Sequence, residues 1–322
     1  MSDNHLSRRR FVLAGTAATA GAAVLGSVRN IAAATADATS GQLAFTVAGE
    51  EFRFDTGVLR GTLCEGGKTF GLYPFFEAAS GQSLAGLPGM GILSPYRLFT
   101  SGARFLPDAR DWSHASRLLT DGTVEVCCLP DKEHPFELKA VYRLASPRAI
   151  DFRAEVTPQR DLPRFELFLS SYFSGFSTSL AYVQHTPGAG EKSGVVEATK
   201  QAGDWQMFPR DEEAVRTIAD GRWNYPPNPV AWKIRSCLAA PLALRRDVES
   251  GLTVVLVAPA KDCFAVSMPY GEESHRSVYL SLFGRDLKAG ETGSAHVRLV
   301  IGKAISDQQA IELYEAYQNE PK

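Results

Sequence analysis

The sequence predicts an all-β protein made of two large antiparallel sheets packed face to face. Three observations support this prediction. About fourteen short segments alternate apolar and polar residues, as strands with one solvated face do. Turn-forming residues separate these segments, and the chain contains 28 glycines and 18 prolines. The 18 phenylalanines and 10 tyrosines provide the bulky side chains that β-rich cores favour.

Length and charge limit the function classes. A chain of 322 residues can form one large β unit or two smaller ones, and no low-complexity linker or fixed-period repeat divides it. We therefore predict a single domain over residues 37–322. The chain carries 34 basic and 36 acidic side chains, so the formal net charge is −2. This balance argues against nucleic acid as a partner.

The first 36 residues differ from the rest. Ser7, the pair Arg8-Arg9 and Phe11 resemble the twin-arginine export signature, and an uncharged stretch rich in Ala, Gly and Thr follows. Small residues at 32–36 offer cleavage sites. We predict a signal peptide over 1–36, transient contact with the twin-arginine translocase, and a periplasmic or secreted location. An uncleaved anchor is the alternative, but the stretch is too weakly apolar for a stable membrane anchor to be expected.

The five cysteines and the missing sequence motifs bear on cofactors. The cysteine number is odd and no C-x-x-C pair occurs, so neither a zinc ribbon nor a redox motif is indicated. Free thiols are favoured, and one disulfide is the alternative. No cofactor fingerprint and no H-E-x-x-H spacing is present. We predict no metal site and leave the cofactor unknown, although a metal site built from distant residues stays open.

The strands follow in order along the chain. An N-terminal hairpin is predicted over 42–47 and 51–56, and a third strand follows it. The clearest alternation forms an antiparallel meander over 123–129, 136–144, 149–157 and 165–173. Further strands are predicted at 180–184, 194–198, 238–244, 252–258, 263–268, 277–283 and 295–301. The chain ends in a predicted helix that begins with the capping-box pattern of Ser306 and Gln309.

Two segments interrupt the strands and attract functional interest. A glycine- and proline-rich stretch over 79–112 is predicted to be a long loop, and it contains Arg97 and leads into Asp111, Trp112 and His114. Loops with this mixture of side chains often bind polar ring compounds. The alternative is a solvated surface loop.

The second segment, over 203–246, contains three of the four tryptophans and a predicted short helix after Pro209. Its indoles, Trp205 and Trp223 among them, are interpreted as a binding surface carried by the sheets. The alternative is that they cap the end of the sandwich core.

A family resemblance enters through three stretches. The hairpin over 136–144 and 149–158, the run from Leu169 to Phe173, and the loop from Gly284 to Thr292 resemble the galactose-mutarotase-like β-supersandwich group. The resemblance implies a carbohydrate site on the concave face of one sheet, where a His and a Glu act as acid and base. Ser170 stands at the position of the acid His in this sequence.

Two histidines remain as acid–base candidates. His114 follows Asp111, and His275 follows Glu273, so each loop imidazole has a carboxylate that could orient it. The alternative for each is a structural role. We predict His134 to be a solvated hairpin tip and His296 to be a satisfied sheet residue. The predicted substrate-binding residues are Arg97, Trp112, Tyr172, Trp205 and Trp223.

These observations predict an exported carbohydrate-active protein that binds a sugar or uronic acid on the concave sheet face. The chemistry would be epimerisation, β-elimination or glycoside cleavage. The main alternative is a non-catalytic periplasmic carbohydrate-binding protein, and a structural periplasmic protein is the third.

Overall fold

The computed structural model of the chain describes residues 42–66, 69–86, 88–185 and 192–320. The predicted export signal over 1–36 lies outside these residues. The described residues form three sheets and two α-helices. The all-β prediction is therefore confirmed.

The smallest sheet is an antiparallel meander at the N-terminal end of the described chain. Its four strands follow one another as β1 (Thr46–Ala48), β2 (Glu51–Asp55), β3 (Leu59–Gly66) and β4 (Thr69–Glu77). Phe52 and Phe54 alternate with exposed polar residues along β2 and are buried in the core. The predicted hairpin therefore forms because this alternation gives one apolar face.

The largest sheet has nine strands, all antiparallel to their neighbours. The central pair matches the predicted hairpin, and Asp151 lies opposite Arg143 in its register. From one edge to the other the strands are β13 (Gly194–Glu197), β12 (Thr178–Val183), β16 (Leu238–Arg246), β17 (Leu252–Val257), β20 (Gly293–Lys303), β10 (Ala149–Pro158), β9 (Phe136–Ser146), β8 (Val124–Cys128) and β7 (Ala115–Leu118).

The third sheet has seven strands and carries the candidate site. All of its pairs are antiparallel except one short pair, Trp205–Pro209 with Lys233–Ile234. Its strands are β15 (Lys233–Ile234), β14 (Trp205–Pro209), β18 (Cys263–Pro269), β19 (Ser277–Leu287), β11 (Leu162–Tyr172), β5 (Ser94–Thr100) and β6 (Ala103–Phe105).

Two strands of this sheet correct the sequence prediction. Strands β5 and β6 lie within 79–112, which was predicted to be a loop. Strand β5 contains Pro95 and is almost wholly buried, so it shows neither alternation nor an uninterrupted run of strand formers. Its neighbour β11 and the adjacent β6 hold it in the sheet.

The main core lies between the sheets. Strand β11 directs Leu167 and Leu169 into this core, and β20 contributes Val297 and Leu299. The sheets therefore bury one apolar face each, as a face-to-face packing requires.

Each large sheet also has a second, outer apolar face. The C-terminal helix α2 (Asp307–Asn319) covers part of the nine-stranded sheet through Ala310 and Tyr317. Ser306 and Gln309 form the predicted capping box at its start. On the seven-stranded sheet the outer face carries an aromatic cluster and the helix α1 (Glu212–Ile218), which is the predicted short helix.

Three further features concern the cysteines, the two helices and His134. All five cysteines are free. Within the described ranges, neither helix has the length and apolar character of a membrane span. His134 is buried with 4% of its surface exposed, so the prediction of a solvated hairpin tip is wrong. Its two ring nitrogens bond to Asp131 and to the Leu106 carbonyl, which makes burial favourable.

Candidate functional site

A cavity of about 660 Å³ lies over the outer face of the seven-stranded sheet. We call it the aromatic cavity. The sheet forms its floor, and the segment 203–205 with 223–233 forms its walls. Its lining residues are Tyr96, Arg97, Phe168, Tyr172, Gly203, Asp204, Trp205, Trp223, Asn228, Pro229, Val230, Ala231, Trp232, Lys233, His275 and Tyr279.

Strand alternation sets which side chains form the floor. Leu167 and Leu169 of β11 point into the main core, so Phe168 and Tyr172 belong to the opposite face. Tyr279 of the neighbouring β19 stacks on Phe168, with ring centroids 4.7 Å apart. The floor is therefore an aromatic surface held by two adjacent central strands.

Tryptophans build the wall. Trp223 packs edge-on against Phe168 at 4.6 Å between centroids and against Trp232 at 5.3 Å. Trp205 at the start of β14 packs at 5.9 Å from Trp232. The indole N–H groups of Trp223 and Trp232 are buried and have no hydrogen-bond partner among the described residues.

A buried ion pair fixes this wall to the sheet. Arg222 precedes Trp223 in the 3₁₀ turn Arg222–Asn224, and its Nη1 donates to Glu166 on β11 at 2.8 Å. The same guanidinium donates to Asp220 at 2.8 Å. The Arg222 side chain is fully buried between these two carboxylates. Its bond to Glu166 therefore ties the turn to β11.

Arg97 enters the cavity floor from β5. Only 5% of its surface is exposed, and its Nη1 donates to the Asn228 carbonyl at 3.0 Å. Its Nη2 lies 3.3 Å from the Tyr96 hydroxyl, and the guanidinium lies over the rings of Tyr96 and Trp223. No carboxylate of the described residues lies within ion-pair distance of it, and its Nε has no partner.

His275 stands at the rim, oriented by a carboxylate. Its Nδ1 is 2.8 Å from Oε1 of Glu273, and its backbone N–H donates to Oε2 of the same residue at 2.8 Å. In the neutral tautomer whose Nδ1–H donates to Glu273, Nε2 is the nitrogen that carries the lone pair. No described residue bonds to Nε2. The ring also contacts Trp205, with centroids 5.5 Å apart.

A hydroxyl chain lies beside His275. Ser277 donates to the Tyr279 hydroxyl at 2.8 Å, and that hydroxyl is 3.4 Å from the hydroxyl of Tyr172. Burial raises the pKa of Tyr279 to about 12 and the pKa of Tyr172 well above its ordinary value. At neutral pH both phenols are protonated, as tyrosines ordinarily are, and can donate hydrogen bonds.

The imidazole also lies where cavities meet. His275 lines the aromatic cavity, a smaller cavity of about 300 Å³ that reaches Ser170, and a third of about 780 Å³ that contains Gln82 and Asp247. An occupant of the aromatic cavity can therefore extend past His275 on more than one side. The space exceeds what a single small ring fills.

Six of the nine predicted site residues are placed at this cavity. Arg97, Tyr172, Trp205, Trp223 and His275 line it, and Glu273 bonds to His275. The structure therefore brings these six residues together. Which of them act on a ligand stays a prediction.

The other three predicted residues lie elsewhere. Trp112 is part of the main core, and its Nε1 donates to the Pro107 carbonyl at 2.8 Å, so it offers no face to a ligand in the aromatic cavity. His114 packs over Gly66 with its Nε2 3.8 Å from Glu65. Asp111 is exposed in a separate depression. The structure therefore does not place these three residues in one cleft with His275.

Several lining residues were missed by the sequence analysis. Tyr96 lies in a stretch predicted to be loop, and Tyr279 is one of many aromatic residues on alternating strands. Asn228 contributes its backbone carbonyl, which no sequence pattern marks. Trp232 lies in the tryptophan-rich segment, and its closeness in sequence to Trp205 and Trp223 was the signal that could have placed it at the cavity.

Comparison with solved structures identifies the architecture. The chain is similar to a galactose mutarotase-like protein from Lactobacillus casei ATCC 334, with 9% identity, a TM-score of 0.51, and coverage of 78% of this chain and 100% of that one. The Slr1438 protein of Synechocystis sp. PCC 6803 matches at 11% identity and a TM-score of 0.50 over 84% of this chain and 100% of its own. The fold is the galactose mutarotase-like sandwich.

A larger enzyme contains a similar unit. An α-N-acetylgalactosaminidase, NagBb, from Bifidobacterium bifidum in complex with GalNAc matches at 13% identity and a TM-score of 0.52, over 83% of this chain and 38% of that one. No family model matches the sequence, and no curated protein matches it. At these identities the likeness establishes the fold alone.

The cavity chemistry follows from its lining. Aromatic faces suit the C–H faces of a sugar ring, and the Arg, Tyr and His side chains suit its oxygens. Asp204, which is exposed at the rim, is the one acidic side chain among the lining residues. Glu273 bonds to His275 but does not line the cavity. No group of three or more His, Cys, Asp or Glu placed to hold a metal occurs in the described ranges.

Proposed function

We propose that this chain binds a sugar or uronic acid in the aromatic cavity and acts on it by proton transfer through His275. The observation that carries the proposal is the Glu273–His275 pair at the rim of a tryptophan-walled cavity. Glu273 holds the Nδ1–H, so the Nε2 lone pair is the base. The Tyr172 phenol, whose pKa burial raises well above its ordinary value, donates a hydrogen bond to a ligand oxygen.

The available groups favour epimerisation or β-elimination over glycoside cleavage. Glycoside hydrolysis ordinarily uses two carboxylates that flank the scissile bond. The aromatic cavity presents only Asp204 as a lining carboxylate, because Glu273 is bonded to His275. Removing a proton from a ring carbon or from the anomeric hydroxyl requires one base and one hydrogen-bond donor. His275 supplies the base and Tyr172 the donor.

The test uses a matched pair of histidine variants. His275→Gln and His114→Gln remove one imidazole each, and only the first borders the cavity. Turnover of a sugar panel is followed by NMR, which detects anomeric exchange, epimerisation and unsaturated products. We expect His275→Gln to lower turnover by about 100-fold or more while binding persists, and His114→Gln to match the parent protein. Equal turnover in both variants would refute the role of His275.

A non-catalytic carbohydrate-binding protein is the second candidate. The supporting observation is that Trp205, Trp223 and Trp232 surround the cavity, as in a stacking site. In that case calorimetry detects sugar binding, no substrate in the panel is turned over, and His275→Gln leaves binding unchanged. A protein with a purely structural role would bind none of the panel.

We also propose export through residues 1–36, which would place the site in the periplasm or outside the cell. The support is the sequence pattern of Ser7, Arg8, Arg9 and Phe11. Replacing both Arg8 and Arg9 by Lys should leave the precursor in the cytoplasm, whereas Arg10→Lys should not. Fractionation followed by N-terminal sequencing of the exported form measures both the route and the cleavage site.

A further inference from the structure

Arg97 differs from the other buried arginines in what surrounds its charge. Arg222 is paired with two carboxylates, those of Glu166 and Asp220. Arg104, whose side chain is 1% exposed, is paired with Asp108 at 2.7 Å. Arg245 is paired with no carboxylate in the part of the chain that the structure describes, but three backbone carbonyls accept from it at 2.7–3.0 Å.

Among the described residues, Arg97 has only one carbonyl and one phenol as hydrogen-bond partners, and its Nε–H has none. The remaining contacts of the guanidinium are the ring faces of Tyr96 and Trp223. A buried cation with neither an opposing charge nor a full set of acceptors is costly, and a ligand carboxylate would supply both.

Resting on the proposed function, we infer that the ligand is an acidic sugar whose carboxylate binds at Arg97. The sugar ring then lies against the tryptophan wall, with its reacting carbon toward His275. The guanidinium gives a carboxylate charge-assisted hydrogen bonds, and the aromatic surroundings exclude water that would otherwise weaken the attraction. Asp204, the one acidic side chain that lines the cavity, lies at the solvated rim, so it does not neutralise the charge of Arg97 at the floor.

The charge present favours a carboxylate over a phosphate ester. Arg97 is the one arginine lining the aromatic cavity, and the other permanent cation, Lys233, is exposed. One buried cation matches the single charge of a uronate, whereas a phosphate monoester carries close to two charges at neutral pH. The ligand is therefore a uronic acid or a uronate residue of an oligosaccharide.

Binding measurements on the unaltered protein test the inference without any variant. Calorimetry compares galacturonate and glucuronate with their neutral methyl esters, with galactose and glucose, and with the hexose 6-phosphates. We expect the uronates to bind about 10- to 100-fold tighter than the esters and neutral hexoses. Tightest binding by the phosphates, or equal binding by uronate and ester, overturns the inference. Absence of binding by every member would instead contradict the proposed function.

A variant locates the recognition. Arg97→Gln should abolish the preference for uronate, so that the variant binds uronate and methyl ester with equal affinity. Arg117→Gln is the matched control, because this exposed arginine pairs with Glu125 on the other large sheet. Arg97→Lys, which retains the charge, should recover part of the preference and serves if the Gln variant folds poorly. Unchanged uronate preference in both Arg97 variants would overturn the assignment.

Discussion

Trp112 and Trp205 each pack against an imidazole, but their surroundings differ. Trp112 lies 4.0 Å from the ring of His134 inside the main core, and its N–H donates to a backbone carbonyl. His134 has partners at both ring nitrogens. Trp205 lies 5.5 Å from His275 at an open cavity, where the imidazole has one nitrogen bonded and the other directed to no protein group.

The difference shows how similar side chains divide between stability and function. In the Trp112 cluster every polar atom named above has a protein partner, so the cluster is complete and only contributes packing. At the aromatic cavity His275, Arg97 and two indoles keep hydrogen-bonding capacity that the described residues do not fill. Unfilled capacity beside an open volume is what a ligand site requires.

The largest expected effect separates the two indoles by stability. Trp112→Ala should lower the free energy of unfolding by about 3–5 kcal/mol, because it leaves a void among buried rings and frees the partner carbonyl of Pro107. Trp205→Ala, at a half-buried edge, should cost clearly less. Urea unfolding followed by circular dichroism measures both. Equal losses would mean that the two indoles do not divide as described.

The next effect concerns the carboxylate behind His275. Glu273→Gln removes the charged acceptor of the Nδ1–H, so the imidazole loses its fixed tautomer and orientation. We expect turnover to fall by about 100-fold with little change in ligand affinity, since Glu273 does not line the aromatic cavity. Asp131→Asn, which alters the partner of the core imidazole His134, should leave turnover per folded molecule intact.

A smaller effect tests the tryptophan wall directly. Trp205→Ala should weaken binding of a sugar ligand by about 10-fold, because it removes an aromatic face of the cavity. The folded fraction of Trp112→Ala should bind that ligand as the parent protein does. Calorimetry on both variants, at a temperature where each is folded, gives the comparison. Loss of binding in Trp112→Ala alone would reverse the assignment of the two indoles.

The smallest effect is a pH dependence of stability from the cavity floor. Burial raises the pKa of Tyr279 to about 12, above the roughly 10 of an unfolded tyrosine. Its contribution to stability is therefore fully present below about pH 10 and is lost as the pH rises towards 12. Tyr279→Phe should make the alkaline fall in unfolding free energy shallower, by on the order of 1 kcal/mol. An unchanged slope would contradict this.

The candidate site was partly predictable because some of its geometry is local. Glu273 and His275 are two residues apart on one loop, and their pairing needs no distant contact. Trp205 and Trp223 were found through their clustering in a short segment. Asp111 and His114 have the same local features, yet they lie beside other elements, since loop composition does not specify which face of a sheet a loop covers.

The sequence by itself determined strands such as β9, β10 and β20, because their alternation follows from one buried and one more exposed face, and it determined the C-terminal helix through its capping box. Only the tertiary structure decided that Arg97 of β5 would lie beside Asn228 and Trp223, more than a hundred positions later. Whether a buried cation meets a carboxylate depends on which strands become neighbours, and that depends on long-range packing.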